Sequence, residues 1–149
     1  MNCIVAQSGG PTAAINASLA GVVAAARDFG IYDKIYGAIH GIQGVLKKHF
    51  LDLSGKDDTF IRKLACTPAM YLGSCRFKLP DMNEDASIYE EIFSIFKEMN
   101  IGAFFYIGGN DSMDTVAKLS AYATSIGNDI RIIGVPKTID NDLIMTDHT

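Results

Sequence analysis

The sequence lacks the features that mark several classes of protein. Its 149 residues include three cysteines without a CxxC pair and three histidines without HxH or HExxH spacing, so a zinc site is not expected. No hydrophobic run approaches the ~18 residues that a membrane-spanning helix needs. The N-terminus has neither a basic segment nor a long apolar one and does not resemble a signal peptide. We therefore expect a cytoplasmic chain with reduced thiols and no membrane partner.

Extremes of composition and charge are also absent. Hydrophobic residues make up 48% of the chain and charged residues 20%, which excludes disordered, collagen-like and coiled-coil proteins and allows one domain with a core. The 13 basic and 17 acidic residues give a formal charge of -4, which argues against a nucleic-acid partner. A phosphorylated small molecule is still compatible with this charge, because local geometry decides such a site.

Short apolar runs alternate with helical patterns along the chain. Strands are predicted at residues 4–7, 34–39, 103–107 and 130–135, and helices at residues 13–28, 57–66, 84–100 and 112–126. Residues 41–50 are predicted as a glycine-spaced loop or a short helix, and residues 67–81 as an irregular loop. This alternation predicts an α/β fold: a Rossmann-like, three-layer parallel sheet with helices on both faces.

Three polar, glycine-marked segments each follow a predicted strand directly. They are residues 8–12 (SGGPT), 108–112 (GGNDS) and 136–142 (PKTIDND). Ligands of parallel α/β sheets bind beyond the carboxyl ends of the strands, so we expect all three segments to gather at that edge. The chain contains neither GxGxxG nor GxxxxGK[ST], which removes the standard dinucleotide and P-loop motifs as explanations.

The first two segments have the residue types of a phosphate site. Backbone N–H groups of Gly9 and Gly10 can approach a phosphate at the start of the following helix, although a structural turn would have the same sequence. The second segment adds Asn110, Asp111 and Ser112 after its glycines. Any one of these three could instead cap the next helix.

The third segment contains the groups that a phosphoryl transfer needs, although a solvated loop could have a similar composition. A carboxylate such as Asp140 or Asp142 can accept the proton of a hydroxyl substrate. Lys137 can offset the negative charge of a transferring phosphoryl group. Phosphoryl transfer is the reaction that uses all of these groups. The glycines would bind phosphate, the carboxylates would serve as base and metal ligands, and the lysine would neutralise charge.

In their order and spacing, these segments resemble the phosphofructokinase family. Asn16, residues 72–77 (LGSCRF) and residues 146–149 (TDHT) resemble the same family, and the resemblance covers the whole chain. It implies a magnesium-dependent transfer to the 1-hydroxyl of fructose 6-phosphate by an enzyme that is a homo-oligomer when full length. It also implies that residues 1–149 are the N-terminal phosphoryl-donor-binding domain of a two-domain enzyme. The second, substrate domain is absent from this sequence, so the chain alone is expected to be inactive.

The resemblance also implies roles for individual residues. Asp140 would be the catalytic base beside Lys137, and Thr138 and Asp142 would bind the sugar and the transferring phosphate together with it. The phosphoryl donor would contact Gly9, Gly10, Arg76, Gly109, Asp111 and Ser112. Asn110 stands where the family has a magnesium-binding aspartate. Because an amide oxygen is a poorer ligand for Mg²⁺ than a carboxylate, Asp111 is the alternative ligand.

Two residues bear on the identity of the donor. Asp111 replaces a glycine of ATP-using members, and its carboxylate would overlap with and repel the α-phosphate of ATP. Lys137 precedes Thr138, as in the pyrophosphate-dependent branch. We therefore expect pyrophosphate as the donor in a reversible step of glycolysis. ATP remains an alternative donor, because some ATP-using members share this lysine. A non-catalytic regulatory subunit is a third possibility, which the intact Asp140 argues against.

Overall fold

A five-stranded sheet lies between two layers of helices in the computed structural model, which describes residues 1–145. The strands are β1 (Asn2–Gln7), β2 (Ile35–Ala38), β3 (Phe50–Asp52), β4 (Ile101–Gly108) and β5 (Arg131–Pro136). The helices are α1 (Ile15–Phe29), α2 (Gly41–Leu46), α3 (Asp58–Ala65), α4 (Ser87–Glu98) and α5 (Asn110–Ser125). Residues 146–149, whose sequence resembles the family's, lie outside the described part of the chain.

Four of the five strands are parallel, and their order is β2-β1-β4-β5 with β3 at the edge beside β2. β1 and β4 are the central strands, and both are almost wholly buried. A strand covered on both faces has a continuous apolar sequence rather than an alternating one. The apolar runs in the sequence therefore predicted the four parallel strands correctly, together with the α/β fold.

The edge strand β3 is antiparallel and was not predicted. Its residue Phe50 pairs with Ala38 of β2, and α2 makes the connection between the two strands. A parallel return needs a crossover of about a dozen residues or more; the link of residues 39–49 through α2 is at this limit, and β3 pairs antiparallel with β2. With three residues, β3 is too short to produce a periodic pattern in the sequence.

The two faces of the sheet are covered by different helices. Ile15 and Leu19 of α1 and Leu64 of α3 belong to the core on one face. Helices α2, α4 and α5 cover the other face, where Ile92 and Leu119 are buried. The predicted placement of helices on both faces is thus confirmed.

Local signals in the sequence account for two of the helices. The apolar stripe predicted for α4 is core, because Ile92, Ile95 and Phe96 are buried in the cluster around β4. Gly30 ends α1 in the left-handed conformation, with φ of 62°, and its N–H donates to the Arg27 carbonyl at 3.1 Å. Glycine adopts this conformation without steric cost, as the sequence predicts for this position.

All three cysteines are free thiols. Cys3 lies in β1 without solvent exposure, and its burial raises the pKa of the thiol to about 12. A thiol with such a pKa stays protonated at neutral pH and is unreactive. In residues 1–145, no helix combines the length and the apolar character required to cross a bilayer.

Two glycines in helices on opposite faces of the sheet make a matched test of the packing. A Cβ at Gly44 in α2 would lie 1.9 Å from the carbonyl oxygen of Ile39, whereas a Cβ at Gly21 in α1 meets nothing within 4 Å. Gly44→Ala should therefore destabilise the intact protein by at least about 1–3 kcal/mol, as overpacking does. Gly21→Ala should stabilise it by about 0.5–1 kcal/mol, because alanine favours a helix interior. Urea unfolding of both variants checks this, and equal midpoints would contradict it.

Candidate active site

The three glycine-marked segments meet at one edge of the sheet. Gln7 pairs with Ile107, and Ile107 pairs with Val135, so β1, β4 and β5 end at the same level. Residues 8–12, 108–112 and 136–142 leave the sheet side by side as a result. The predicted convergence of these segments is confirmed by this register.

Hydrogen bonds connect the three segments. The Ser8 N–H donates to the Ile107 carbonyl at 2.9 Å, and the Lys137 N–H donates to the Gly108 carbonyl at 2.8 Å. The side chain of Lys137 also reaches the first segment, where its Nζ donates to the Gly10 carbonyl at 2.8 Å. One lysine thus joins the segment after β5 to both of the others.

The close approach of the segments favours glycine at two positions. A Cβ at Gly108 would lie 2.7 Å from the carbonyl oxygen of Ser8 and 2.1 Å from Oγ of Ser112. Gly9 has φ of +84°, and a Cβ there would lie 3.4 Å from the Gly109 nitrogen. Glycine is required at the first position by space and favoured at the second by backbone conformation.

A cleft of about 730 Å³ lies beside these segments. It opens between the glycine turn after β1 and the loop that precedes α4, and Asp111 of α5 contributes to its wall. The residues around it are Ser8, Gly9, Gly10, Pro11, Ser74, Cys75, Arg76, Phe77, Lys78 and Asp111. Its volume is in the range of clefts that hold small molecules.

Positive charge prevails in and beside the cleft, although the chain as a whole is acidic. Arg76 and Lys78 line it as exposed side chains, and Lys137 contacts its glycine turn. In the described part of the chain, no ion pair neutralises Arg76 or Lys78. Three cations against the carboxylate of Asp111 favour an anionic ligand such as a phosphate.

Residues 138–142 form a hydrogen-bonded turn beyond β5, and none of them is in the lining of the cleft. The Thr138 hydroxyl donates to Oδ1 of Asp142 at 2.9 Å, and the Asp140 N–H donates to Oγ1 of Thr138 at 3.0 Å. Asn141 between them has a left-handed φ of 51°. The carboxylates of Asp140 and Asp142 are exposed, so a substrate can reach both of them.

The structure divides the predicted donor-binding residues into two groups. Four of them line the cleft: Gly9, Gly10, Arg76 and Asp111. Gly109 lies next to Gly9 but not in the lining. Ser112 is 2% exposed, and its hydroxyl lies against Gly108 rather than in the cleft.

The polar residues after β4 are not needed to cap α5. Its N-cap residue is Gly109, and no side-chain hydrogen bond caps this end of the helix. The alternative explanation of Asn110, Asp111 and Ser112 as helix caps is therefore wrong. Asp111 lies in the first turn of α5 and lines the cleft, where an acidic side chain also interacts favourably with the helix dipole.

One cleft residue, Lys78, lies outside the segments that the sequence analysis singled out, and Ser74 lies within the LGSCRF string but had no role assigned to it. Ser74 lines the cleft, and its Oγ donates to the Gly9 carbonyl at 2.8 Å. Lys78 lies just beyond the LGSCRF string and adds a second cation beside Arg76. A basic residue two positions after a predicted phosphate-binding arginine was the available signal for Lys78. Ser74 had no distinguishing signal, because its role depends on a contact with a distant segment.

The side chains at this edge suit a magnesium ion only together with a ligand. In residues 1–145, no three His, Cys, Asp or Glu side chains are grouped so that they could hold a metal. Mg²⁺ commonly binds through one or two carboxylates together with substrate phosphates and water. Asp111 supplies one carboxylate to the cleft, and this donor set fits a metal that is bound together with phosphate.

Comparison with known proteins agrees with the motifs. The profile of the phosphofructokinase family matches residues 2–149. A pyrophosphate–fructose 6-phosphate 1-phosphotransferase of Rhodospirillum rubrum is 47% identical over 146 residues, which are 98% of this chain and 35% of that protein. A protein of the same name from Xanthomonas campestris is 44% identical over 146 residues, which are 98% of this chain and 34% of that protein.

A solved structure has the same fold over the matched residues. The pyrophosphate-dependent phosphofructokinase from Nitrosospira multiformis superposes with a TM-score of 0.88 at 44% identity, over 97% of this chain and 35% of that one. The chain therefore corresponds to a part of these relatives and spans 34–35% of the length of the two curated proteins.

Thr138→Val tests whether one hydroxyl holds the turn beyond β5. Valine has a similar shape but cannot accept from the Asp140 N–H or donate to Asp142. The exchange of the Asp140 amide hydrogen with solvent should become about tenfold faster, the effect of losing a hydrogen bond of ordinary net strength. Hydrogen exchange of the intact protein, resolved at Asp140, measures this.

The matched control is Thr124→Val. Oγ1 of Thr124 donates to the Ser120 carbonyl at 3.0 Å in the last turn of α5, at the end of this helix away from residues 108–112. The exchange of Asp140 should not change in this variant. Equal rates at Asp140 in wild type and Thr138→Val would show that the hydroxyl does not order the turn.

Proposed function

The chain belongs to the phosphofructokinase family, and from this premise we propose that the intact protein transfers a phosphoryl group from pyrophosphate to the 1-hydroxyl of fructose 6-phosphate. The products are fructose 1,6-bisphosphate and phosphate, and residues 1–149 supply the donor side of the site. The observation that carries the proposal is the presence of Asp111 in the lining of a cationic, glycine-walled cleft. The names of the relatives from Rhodospirillum and Xanthomonas support the same donor.

Asp111 selects the donor by charge and space. A nucleoside triphosphate would place a third phosphate and its nucleoside beyond the two phosphates that the cleft binds. Two like charges 4 Å apart repel by about 1 kcal/mol in water and about 4 kcal/mol near a protein surface. Pyrophosphate has no third phosphate, so the carboxylate of Asp111 does not oppose it.

The cations around the cleft neutralise the donor and the charge that moves during transfer. Catalysis of phosphoryl transfer consists mainly of positioning and charge stabilisation. Lys137 is held 2.8 Å from the Gly10 carbonyl, so its charge stays at the glycine turn. Arg76 belongs to the loop on the other side of the turn, and the donor phosphates bind between the two.

The turn after β5 provides the base. The Asp140 carboxylate accepts the proton of the sugar hydroxyl as that oxygen attacks the phosphorus atom. Thr138 and Asp142, which are hydrogen-bonded to each other at 2.9 Å, lie on either side of it in the chain. They orient the sugar and the transferring phosphate at this turn.

Magnesium fits this scheme as a partner of the donor. Asp111 and the amide oxygen of Asn110 are the side chains that would hold it, in the first turn of α5. The bound ion supplies further charge neutralisation for the phosphate oxygens. A helix N-terminus is a favourable place for the phosphates that arrive with it.

The acceptor sugar requires groups outside this chain. The relatives extend well beyond the matched part, which is 35% of the Rhodospirillum protein. We assign the binding of the sugar's own phosphate to that additional length. The isolated residues 1–149 should then show no measurable turnover, and assays of function need the intact protein.

The donor is tested by assaying the intact protein with pyrophosphate and with ATP as the only phosphoryl source. Formation of fructose 1,6-bisphosphate should occur with pyrophosphate and be at least about a hundredfold slower with ATP, equivalent to roughly 2.7 kcal/mol of discrimination. Turnover with ATP alone would reject pyrophosphate as the donor. Absence of turnover with either would favour a regulatory subunit.

Asp140→Asn should remove the base while keeping the shape of the turn. We expect kcat to fall by about 10²–10⁴-fold, the usual contribution of a positioned base, while the KM for pyrophosphate changes little. Steady-state kinetics of the intact protein measure both constants. Asp129→Asn is the control, because Asp129 precedes β5 at the opposite end of that strand. A kcat within threefold of wild type in Asp140→Asn would assign the base elsewhere.

Asp111→Gly should relax the exclusion of ATP. Without the carboxylate, kcat/KM for ATP should rise by at least about tenfold, which corresponds to removing roughly 1.4 kcal/mol of repulsion. The ratio of the two donors' kcat/KM values is the measurement. An unchanged ATP value would mean that other residues exclude the nucleotide.

A further inference from the structure

The side-chain amides of Gln7 and Asn16 form a buried pair on either side of the glycine turn. We propose that Gln7 and Asn16 are positioning residues. They hold the loop of residues 67–76 so that Arg76 faces the glycine turn. The inference rests on the proposed function, because it takes Arg76 to be a ligand of the donor phosphates.

The two amides join the ends of the turn to each other. Gln7 is the last residue of β1, and Asn16 lies in the first turn of α1. Neither side chain has any exposed surface, and Nε2 of Gln7 donates to Oδ1 of Asn16 at 3.0 Å. Nε2 of Gln7 also donates to the Ile15 carbonyl at 3.3 Å, which is a second link between the two ends of the turn.

Both amides then extend to the loop. The Leu72 N–H donates to Oε1 of Gln7 at 3.0 Å, and the Tyr71 N–H donates to Oδ1 of Asn16 at 2.9 Å. Nδ2 of Asn16 donates to the Thr67 carbonyl at 3.0 Å. Residues 67–72 contain no helix or strand, so side chains take the place of the backbone partners that regular structure would provide.

The next residues of the loop are tied to the turn as well. Oγ of Ser74 donates to the Gly9 carbonyl at 2.8 Å, and Oγ of Ser8 donates to the Cys75 carbonyl at 3.1 Å. Arg76 follows directly. Between residue 67 and residue 75, five residues are thus hydrogen-bonded to the glycine turn or to the two amides that flank it: Thr67, Tyr71, Leu72, Ser74 and Cys75.

The chemistry of the pair explains why amides occupy these two positions. A buried polar group is costly unless it is hydrogen-bonded, and an apolar side chain at either position would leave a loop N–H without its partner. A carboxylate would be charged in the interior. Gln7 and Asn16 each provide a donor and an acceptor without charge. A structural turn alone requires no such contacts to a loop more than fifty residues away.

Asn16→Leu in the intact protein is the main test. Leucine has a similar volume but makes none of the three side-chain hydrogen bonds of Asn16. We expect the KM for pyrophosphate to rise by about tenfold or more, because small displacements of a positioned group are costly, while the KM for fructose 6-phosphate stays within twofold.

Asn2→Leu is the matched control. It has the same chemistry, because Nδ2 of Asn2 donates to the Met99 carbonyl at 2.7 Å, but it lies at the opposite end of β1. Both KM values should stay within twofold of wild type even if the melting temperature falls. A rise of both KM values in Asn16→Leu, matched in Asn2→Leu, would overturn the proposal and assign the pair a general structural role.

Hydrogen exchange provides a measurement that needs no substrate. The Tyr71 and Leu72 amides should exchange faster in Asn16→Leu and unchanged in Asn2→Leu. If Asn16→Leu does not fold, Asn16→Asp replaces it, since this variant keeps the shape and the acceptor but loses the donor to Thr67. A higher KM for pyrophosphate in that variant, with the KM for fructose 6-phosphate within twofold of wild type, would support the proposal, because the loop loses its bond at Thr67 while the Tyr71 N–H keeps its acceptor.

Two outcomes separate this proposal from the proposed function. If wild type turns over ATP and not pyrophosphate, the proposed donor is wrong, and the same test is made with the KM for ATP. If wild type uses pyrophosphate but Asn16→Leu and Asn16→Asp change neither the exchange of Tyr71 nor the KM, the pair does not position the loop.

Discussion

The close approach of three backbone segments beyond β1, β4 and β5 is the constraint on which the rest of the site depends. Because Gly108 has no Cβ, the carbonyl oxygen of Ser8 can lie 2.7 Å from the position that a Cβ would take. Lys137 can then bond the Gly108 carbonyl through its backbone and the Gly10 carbonyl through its side chain. A cation, a glycine turn and a helix N-terminus come together only because these backbones touch.

Charged side chains lie at the cleft and neutral polar side chains lie beneath it, an arrangement that suits an anionic ligand. The cations Arg76, Lys78 and Lys137 are at the surface of the cleft or beside it, where a ligand can neutralise them. The support beneath is made by neutral amides and hydroxyls, because an unpaired charge in the interior would be far more costly. The proposed donor specificity and the proposed positioning pair are therefore two parts of one electrostatic arrangement.

Much of this structure could be predicted from local patterns. The buried strands, the apolar stripe of α4 and the segments beyond the strands follow from sequence periodicity and the rule that ligands bind at the carboxyl edge. The strand β3 could not be predicted, because three residues carry no period. Gln7 was predicted only as the end of a strand and Asn16 was noted only for the family resemblance, because their partners at Tyr71 and Leu72 are far away in the chain. The oligomeric state, the compartment and the role of each site residue stay predictions.

The sequence by itself determined the types of the elements and the edge of the sheet at which the polar segments collect, since both follow from local periodicity and parallel topology. Only the tertiary structure decided which of those polar residues line the cleft. Asp111 and Ser112 are neighbours in the chain, but about 100° of rotation per helical residue places one in the cleft and the other against Gly108. Lys137 reaches Gly10 across 127 residues, and a contact over such a separation depends on packing that no local pattern encodes.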